Sequence, residues 1–369
     1  EENLYQVQCL ATSRDGIHFE RQGMIIDTPP GMHHFRDPKV FWHKETQRWI
    51  MLLAVGQEMQ IFSSSNLKDW AFESSFGEGQ GAHGGVWECP DLFELPVDGT
   101  NEKKWVLLCN LNPGGPFGGS ATQYFVGTFN GKEFVNESPS KTKWMDWGKD
   151  HYATVTWSDA PDNRRIAIAW MSNWQYANDV PTSQYRSPNS VPRDLSLFTV
   201  DGETYLQSAP SPELLALRDA SKKRSFKVNG TRTIKEMIPG NDGAYEIELT
   251  IENQHADVIG FRLYNDKGEE VDMQYDMKEK KFSMDRRKSG EVSFNENFPM
   301  LTWTAIESGK DELKLRLFVD KSSVEAFGDG GRFVMTNQVF PSEPYTHIDF
   351  YSKGGAYKVD SFVIYKLKK

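Results

Sequence analysis

A chain of 369 residues can form two domains, each with its own core, and its net charge of −10 with no Lys/Arg stripe argues against a nucleic-acid partner. No apolar run approaches the ~18–20 residues of a membrane-spanning helix, so no membrane span is expected. Three cysteines, Cys9, Cys89 and Cys109, are too few and too irregularly spaced for a disulfide scaffold or a metal-ligand set.

Aromatic residues make up 13% of the chain, which suits β-rich packing and also a surface that stacks on sugars. The start at Glu1 carries no basic n-region and no apolar h-region, so the beginning reads as processed or missing. Residues 8–23 give two short strands around a turn at Asp15 and Gly16, and residues 61–75 repeat that layout. Residues 37–56 read as strand, polar turn and strand, and 89–111 and 152–172 repeat this order. Repeats of about 50–60 residues, each holding about four short strands, are the pattern of β-propeller blades. Three blade starts and the tail of an earlier blade are visible. Propellers close with about four blades or more, so this ring is expected to lack its beginning.

Residues 211–222 read as a linker, opening with a short helical or turn-like stretch at 211–218. Beyond it the pattern changes to long alternating strands. Tyr245, Ile247, Leu249 and Ile251 form one apolar face, and Leu313, Leu315, Leu317 and Val319 another, with turns such as 265–268 between strands. The expected organisation is all-β: a partial propeller catalytic domain over 1–210, the linker over 211–222, and a C-terminal β-sandwich over 223–369.

Three carboxylates recur near the starts of inner strands: Asp37 in FRDPKVF, Glu88 in WECPDLF and Asp150 in DWGKDHYA. Singly, each has an ordinary reading as a turn residue, an edge charge or a cap. Their shared register, with Phe35, Trp87 and Trp147 beside them, favours one acidic pocket onto which all three open. His33, His34 and His83 lack a third ligand at suitable spacing, so no metal is expected. A carboxylate cluster of this kind suits glycoside hydrolysis, in which one acid protonates the leaving oxygen and another stabilises or attacks an oxocarbenium-like centre. Glu88 is the better proton donor, since Trp87, Cys89 and Pro90 flank it. Arg36, next to Asp37, is placed to hold that carboxylate and to bind sugar hydroxyls.

These residues also match a family. FRDP at 35–38, WECPDLF at 87–93, DWGKDHYA at 146–153, RRIAIAWMSNWQYA at 164–177, VPRDLSL at 191–197 and LFVDKSSVEAFGDGGRFVMTNQVFP at 317–341 resemble the successive motifs of glycoside hydrolase family 32. The resemblance implies a five-bladed propeller followed by a β-sandwich, the first blade and most of the second being absent from this chain. It implies retaining cleavage of β-fructofuranosidic bonds in levan, inulin and sucrose, without a cofactor. Carried over by motif, Glu88 is the general acid/base and Asp37 the transition-state stabiliser. Arg36 shares the grip on fructose hydroxyls, and Cys89 tunes the acid. Asp146 and Lys149 shape the subsite beyond the scissile bond, and Asp150 completes their motif, with His151 where an aromatic is more usual. Trp174 is an aromatic wall. The DWG and SNW versions of the motifs favour a fructan-active enzyme over a sucrose-dedicated one. Fructan polymers lie outside cells, so a secreted or periplasmic site is expected.

One departure stands out. The family's nucleophile is an Asp in a W-x-N-D-P-N-G block, and the 369 residues contain no such block; the string at 240–243 reads as a sandwich turn. The expectation is an enzyme by family that is inactive as this chain alone. The alternative is a non-catalytic fructan-binding pseudoenzyme or fragment.

Overall fold

The computed structural model describes residues 5–238, 240, 242–306 and 312–368; the string at 240–243 therefore includes a residue, Asn241, outside the described set. Among the described residues the only helical turns are two short 3-10 pieces, Pro161–Asn163 and Pro212–Leu217. Everything else that is regular is strand, as the alternating apolar pattern predicts.

The N-terminal half holds four antiparallel sheets in chain order. A two-stranded sheet pairs Gln8–Thr12 with Glu20–Ile26. A four-stranded meander follows, made of Phe35–His43, Arg48–Val55, Glu58–Ser64 and Ala71–Phe76. The next sheet runs through Val86–Pro96, Lys103–Asn112, Ala121–Phe129 and Phe134–Asn136, with Lys143–Trp144 also paired to Ala121–Phe129. The fourth holds Tyr152–Thr156, Ile166–Trp170, Arg193–Val200 and Glu203–Pro210. These are the blade units that the repeats predict, and the two-stranded sheet has the layout of the next sheet's outer pair.

Neighbouring sheets bury apolar side chains between their faces. Ile50, Leu52, Ala54, Met59 and Ile61 of one meet Trp87, Leu92, Leu107, Cys109 and Phe125 of the next. Middle strands such as Arg48–Val55 are therefore apolar on both faces, because each face is covered by a sheet. Innermost strands are contiguous, with Val86–Pro96 touching both Phe35–His43 and Tyr152–Thr156. That contiguity is what brings side chains from three sheets together.

The C-terminal half is two six-stranded antiparallel sheets. Tyr245, Ile247, Leu249 and Ile251 stand opposite Val319, Leu317, Leu315 and Leu313, and all eight are buried in one core shared by both sheets. The expected linker is shorter than 211–222. Strand Arg218–Val228 already pairs with Tyr357–Leu367 from Arg218 onward. Its charged, edge-lying sequence hides the strand from any reading of apolar alternation.

The two halves are joined along residues 145–150, which lie against strand Phe333–Gln338. Trp147 donates its amide to the Val334 carbonyl at 2.8 Å, and Asp150 to the Thr336 carbonyl at 3.1 Å. Gly148 is required by this approach, since a Cβ there would stand 2.0 Å from the Thr336 carbonyl oxygen.

Candidate functional site

The same β-bulge occurs at the start of three successive sheets. Register runs Arg36↔Ala54 then Lys39↔Leu52, Glu88↔Asn110 then Asp91↔Leu108, and Tyr152↔Trp170 then Val155↔Ile168. In each, two residues oppose one, and the first of the two has positive φ: Asp37 at 58°, Cys89 at 44° and Ala153 at 51°. Non-glycine residues in that region are uncommon, and a bulge re-aims the side chains around it. The structure thus makes Arg36, Glu88 and Tyr152 equivalent, and likewise Asp37, Cys89 and Ala153.

The three equivalent side chains converge. Arg36 Nη2 donates to Glu88 Oε1 at 2.7 Å, and the Tyr152 hydroxyl donates to Glu88 Oε2. Burial, with the Glu88 carboxylate beside it, pushes the Tyr152 phenol well above its ordinary value, so it remains a donor. Asp37 is held from the next bulge, where its Oδ2 accepts the Cys89 backbone N–H at 3.0 Å and the Cys89 thiol at 3.7 Å. Burial, then the Asp37 and Glu88 charges, push that thiol up to about 12. Asn110, fully buried, ties the second bulge to the third: its Nδ2 donates to the Cys89 carbonyl and its Oδ1 accepts the Thr154 amide, both at 3.0 Å. The side chains of Arg36, Asp37 and Glu88 keep 24%, 31% and 22% exposure, enough to meet a ligand from solvent.

Several expectations are corrected. Arg36 chiefly pairs with Glu88, and its Nε lies 4.0 Å from Asp37. Trp87 does not make an apolar wall for Glu88; successive side chains of a strand alternate, and the Trp87 ring points into the core. Asp150 does not open on the funnel. Its carboxylate is fully buried at the seam, bound by Arg286, by the Tyr176 hydroxyl at 2.5 Å and by the Gln338 amide at 2.8 Å. Asp146 is also at the seam, paired with Arg193 at 2.9 Å and accepting from Thr336. Burial works to raise its carboxyl, and Arg193 with its other partners outweighs this to leave it below the usual range. Lys149 is buried too, donating Nζ to the Asn297 carbonyl at 2.6 Å; burial and the Arg286 charge lower it to about 8. The expected subsite pair and the third carboxylate therefore fasten propeller to sandwich. Sandwich residues Arg286 and Thr336 supply partners that no local pattern announces.

Tyr152 was not among the expected site residues. Its signal is the bulge: once the extra residue in each inner strand is counted, the Tyr of YATVT falls in step with Arg36 and Glu88. Trp174 lies on the same side, half exposed, 4.9 Å from Trp170, whose ring in turn meets Tyr152 at 6.2 Å. A separate cavity of about 380 Å³ lies at the seam between Trp144, Tyr205 and Phe333 and holds neither Asp37 nor Glu88.

Comparison with known proteins gives the family. Residues 1–210 match the family model described as glycosyl hydrolases family 32 N-terminal domain, and residues 213–366 match that described as glycosyl hydrolases family 32 C terminal. A levanase of Bacillus subtilis is 43% identical over 376 residues, covering 99% of this chain and 55% of the levanase. An extracellular exo-inulinase of Aspergillus awamori is 34% identical over 385 residues, covering 98% of this chain and 72% of that protein. The crystal structure of an exo-inulinase from the same fungus superposes with a TM-score of 0.89 at 33% identity, over 99% of this chain and 75% of that one. A β-fructofuranosidase of Schwanniomyces occidentalis complexed with fructosyl-erythritol superposes with a TM-score of 0.86 at 31% identity, over 99% and 76%. The chain spans little more than half the length of the Bacillus subtilis levanase, and over essentially all of its own length it belongs to glycosyl hydrolases family 32.

Proposed function

We propose that these residues are the acid/base and fructosyl-gripping part of a retaining β-fructofuranosidase site acting on levan- and inulin-type fructans and on sucrose, outside the cell. The observation that carries this is the convergence of Arg36, Glu88 and Tyr152 from one repeated bulge, with Asp37 locked beside them by Cys89. In this reading Glu88 protonates the leaving oxygen and later activates water, while Tyr152 and Arg36 orient its two oxygens. Asp37 and Arg36 grip hydroxyls of the fructosyl ring as charge develops on it, and Trp174 gives the leaving group an apolar wall. The likeness to a levanase and to an exo-inulinase supports the substrate class.

Retention requires a second carboxylate opposite the leaving group. In this reading Asp37, held by Cys89, grips the fructosyl ring, and Glu88, held by Arg36 and Tyr152, is the acid/base, so neither is left for that role. Asp150 is taken up by Arg286. Turnover therefore calls for an Asp of the W-x-N-D-P-N-G kind, carried on a further blade of a five-bladed ring. The test is to assay the 369-residue chain on sucrose, inulin and levan, alone and joined to a segment bearing that block. Negligible turnover alone and restored turnover when joined is the expected result. Turnover by the chain alone would show that one of its own residues is the nucleophile. Fructan binding with no turnover in either form would favour the non-catalytic reading.

A further inference from the structure

We infer that an aromatic surface running from Trp170 and Trp174, over Phe117, to Trp303 of the sandwich holds the distal units of a polymeric fructan, so that the sandwich takes part in substrate binding. This rests on the reading of Asp37 and Glu88 as a fructoside site.

The path starts at the acid. The Tyr152 hydroxyl lies on Glu88, its ring meets Trp170 edge-on, and Trp170 meets Trp174, which is 52% exposed. Loop 113–119 is packed against the side chains of Asn173 and Gln175, the residues on either side of Trp174. A Cβ on Gly119 would stand 1.9 Å from Asn173 Oδ1, and the Trp174 amide donates to Ser120 Oγ at 3.1 Å. Phe117, in that loop, meets the Trp303 ring edge-on at 6.3 Å, across the boundary between the two halves. Trp303 lies on the outward face of strand Leu301–Ala305 and is 41% exposed, with Lys281 Nζ 4.1 Å from its ring centroid.

The surface is held rigid across that boundary. Asn295 Nδ2 donates to the Gln175 carbonyl at 3.2 Å, and Gln175 Nε2 to Asn297 Oδ1 at 3.4 Å. Of the exposed tryptophans, Trp174 and Trp303 lie on this surface leading away from the proton donor, where a bound chain would cover them. Flat rings set among amide and ammonium donors match a neutral polyhydroxylated chain, whose C–H faces stack while its hydroxyls accept. Trp303 lies on the sandwich side of Phe117, while Trp170 and Trp174 lie on the side of Tyr152 and Glu88, so it serves units beyond those at the scissile bond.

The test uses the 369-residue chain in native gels containing levan or inulin, with calorimetric titration of the trisaccharide 1-kestose beside them. Trp303→Ala and Phe117→Ala should weaken polymer binding about five- to tenfold and leave kestose binding within about twofold, while Trp303→Tyr, which keeps a flat ring, retains most of the polymer affinity. Unchanged polymer binding in Trp303→Ala overturns the inference, as does equal weakening towards both probes or a wild-type chain that binds kestose and no polymer. A wild-type chain that binds neither probe overturns the fructoside reading along with it.

Discussion

Asp37 and Cys89 occupy the same position of one repeated bulge in neighbouring sheets, both at positive φ, and the Cys89 amide donates to the Asp37 carboxylate at 3.0 Å. One backbone device therefore does two things. It turns Asp37 towards the neighbouring sheet, and it presents there the N–H that receives it. Because the bulge shifts register by one residue, the side chains just before it, Arg36 and Glu88, also meet.

This arrangement predicts the reactivity of the thiols. Cys89, pushed up to about 12, is almost wholly protonated at pH 7.5, and Cys109 is fully buried, whereas Cys9 is exposed. Iodoacetamide should modify Cys9 quickly and leave Cys89 and Cys109 untouched until denaturant is added. Rapid alkylation of Cys89 in the native chain, read by peptide mass spectrometry, would contradict the hydrogen bonding assigned to it.

The hydroxyl of Tyr152 is expected to matter for catalysis without holding the fold. In a turnover-competent form, Tyr152→Phe removes one donor to Glu88 and should lower kcat on inulin about 10- to 100-fold, the scale of a hydrogen bond to a charged group, with little change in KM. A variant with wild-type kcat would reduce Tyr152 to packing.

Glu88→Gln and Asp37→Asn should differ by substrate. Loss of the proton donor costs about 10²–10⁴ in kcat on a fructan and less on a fructoside with a better leaving group. Asp37→Asn should impair both alike, since its grip is on the fructosyl ring. Equal losses by both variants on both substrates would contradict the division of roles.

His151 makes acid stability testable. Burial, then the Arg193 charge, lower it to about 3, against about 6.5 in an unfolded chain. Between those values the unfolded chain binds a proton that the folded chain does not. Its contribution is therefore present above pH 6.5 and is lost as pH falls towards 3, by up to about 1.4 kcal/mol per unit. His151 Nε2 also has no hydrogen-bond partner. His151→Phe should flatten the fall of melting temperature over this window. Parallel curves for variant and wild type would show that His151 does not carry the effect.

The seam should depend on its buried ion pairs. Arg286→Met leaves the Asp150 carboxylate uncompensated and should cost about 3–5 kcal/mol, while Arg286→Met with Asp150→Leu should cost less than the single change. Scanning calorimetry would read this as a lower first transition in the single variant, with partial recovery in the double. Additive losses would argue against direct coupling.

Local alternation was enough to mark most strands, the blade-like repeats and the two apolar faces of the sandwich, because a half-buried strand shows its buried side every second residue, whereas the charged edge strand from Arg218 escaped it. The motifs around Asp37, Glu88 and Trp174 were likewise legible as short strings. What the tertiary structure decided was where charge goes. A bulge adds one residue and reverses which side chains share a face, so aligning Asp37 with Glu88 and Asp150 missed the true set of Arg36, Glu88 and Tyr152. In sequence Asp150 looked like a pocket acid, and the motif resemblance gave Asp146 a place in the subsite beyond the scissile bond. Their partners Arg286 and Thr336 lie 136 and 190 residues further on, and only the docking of sandwich on propeller brings those groups close enough to bury the carboxylates. Burial of a charge is tolerated where a partner meets it, and the partner is a property of the fold.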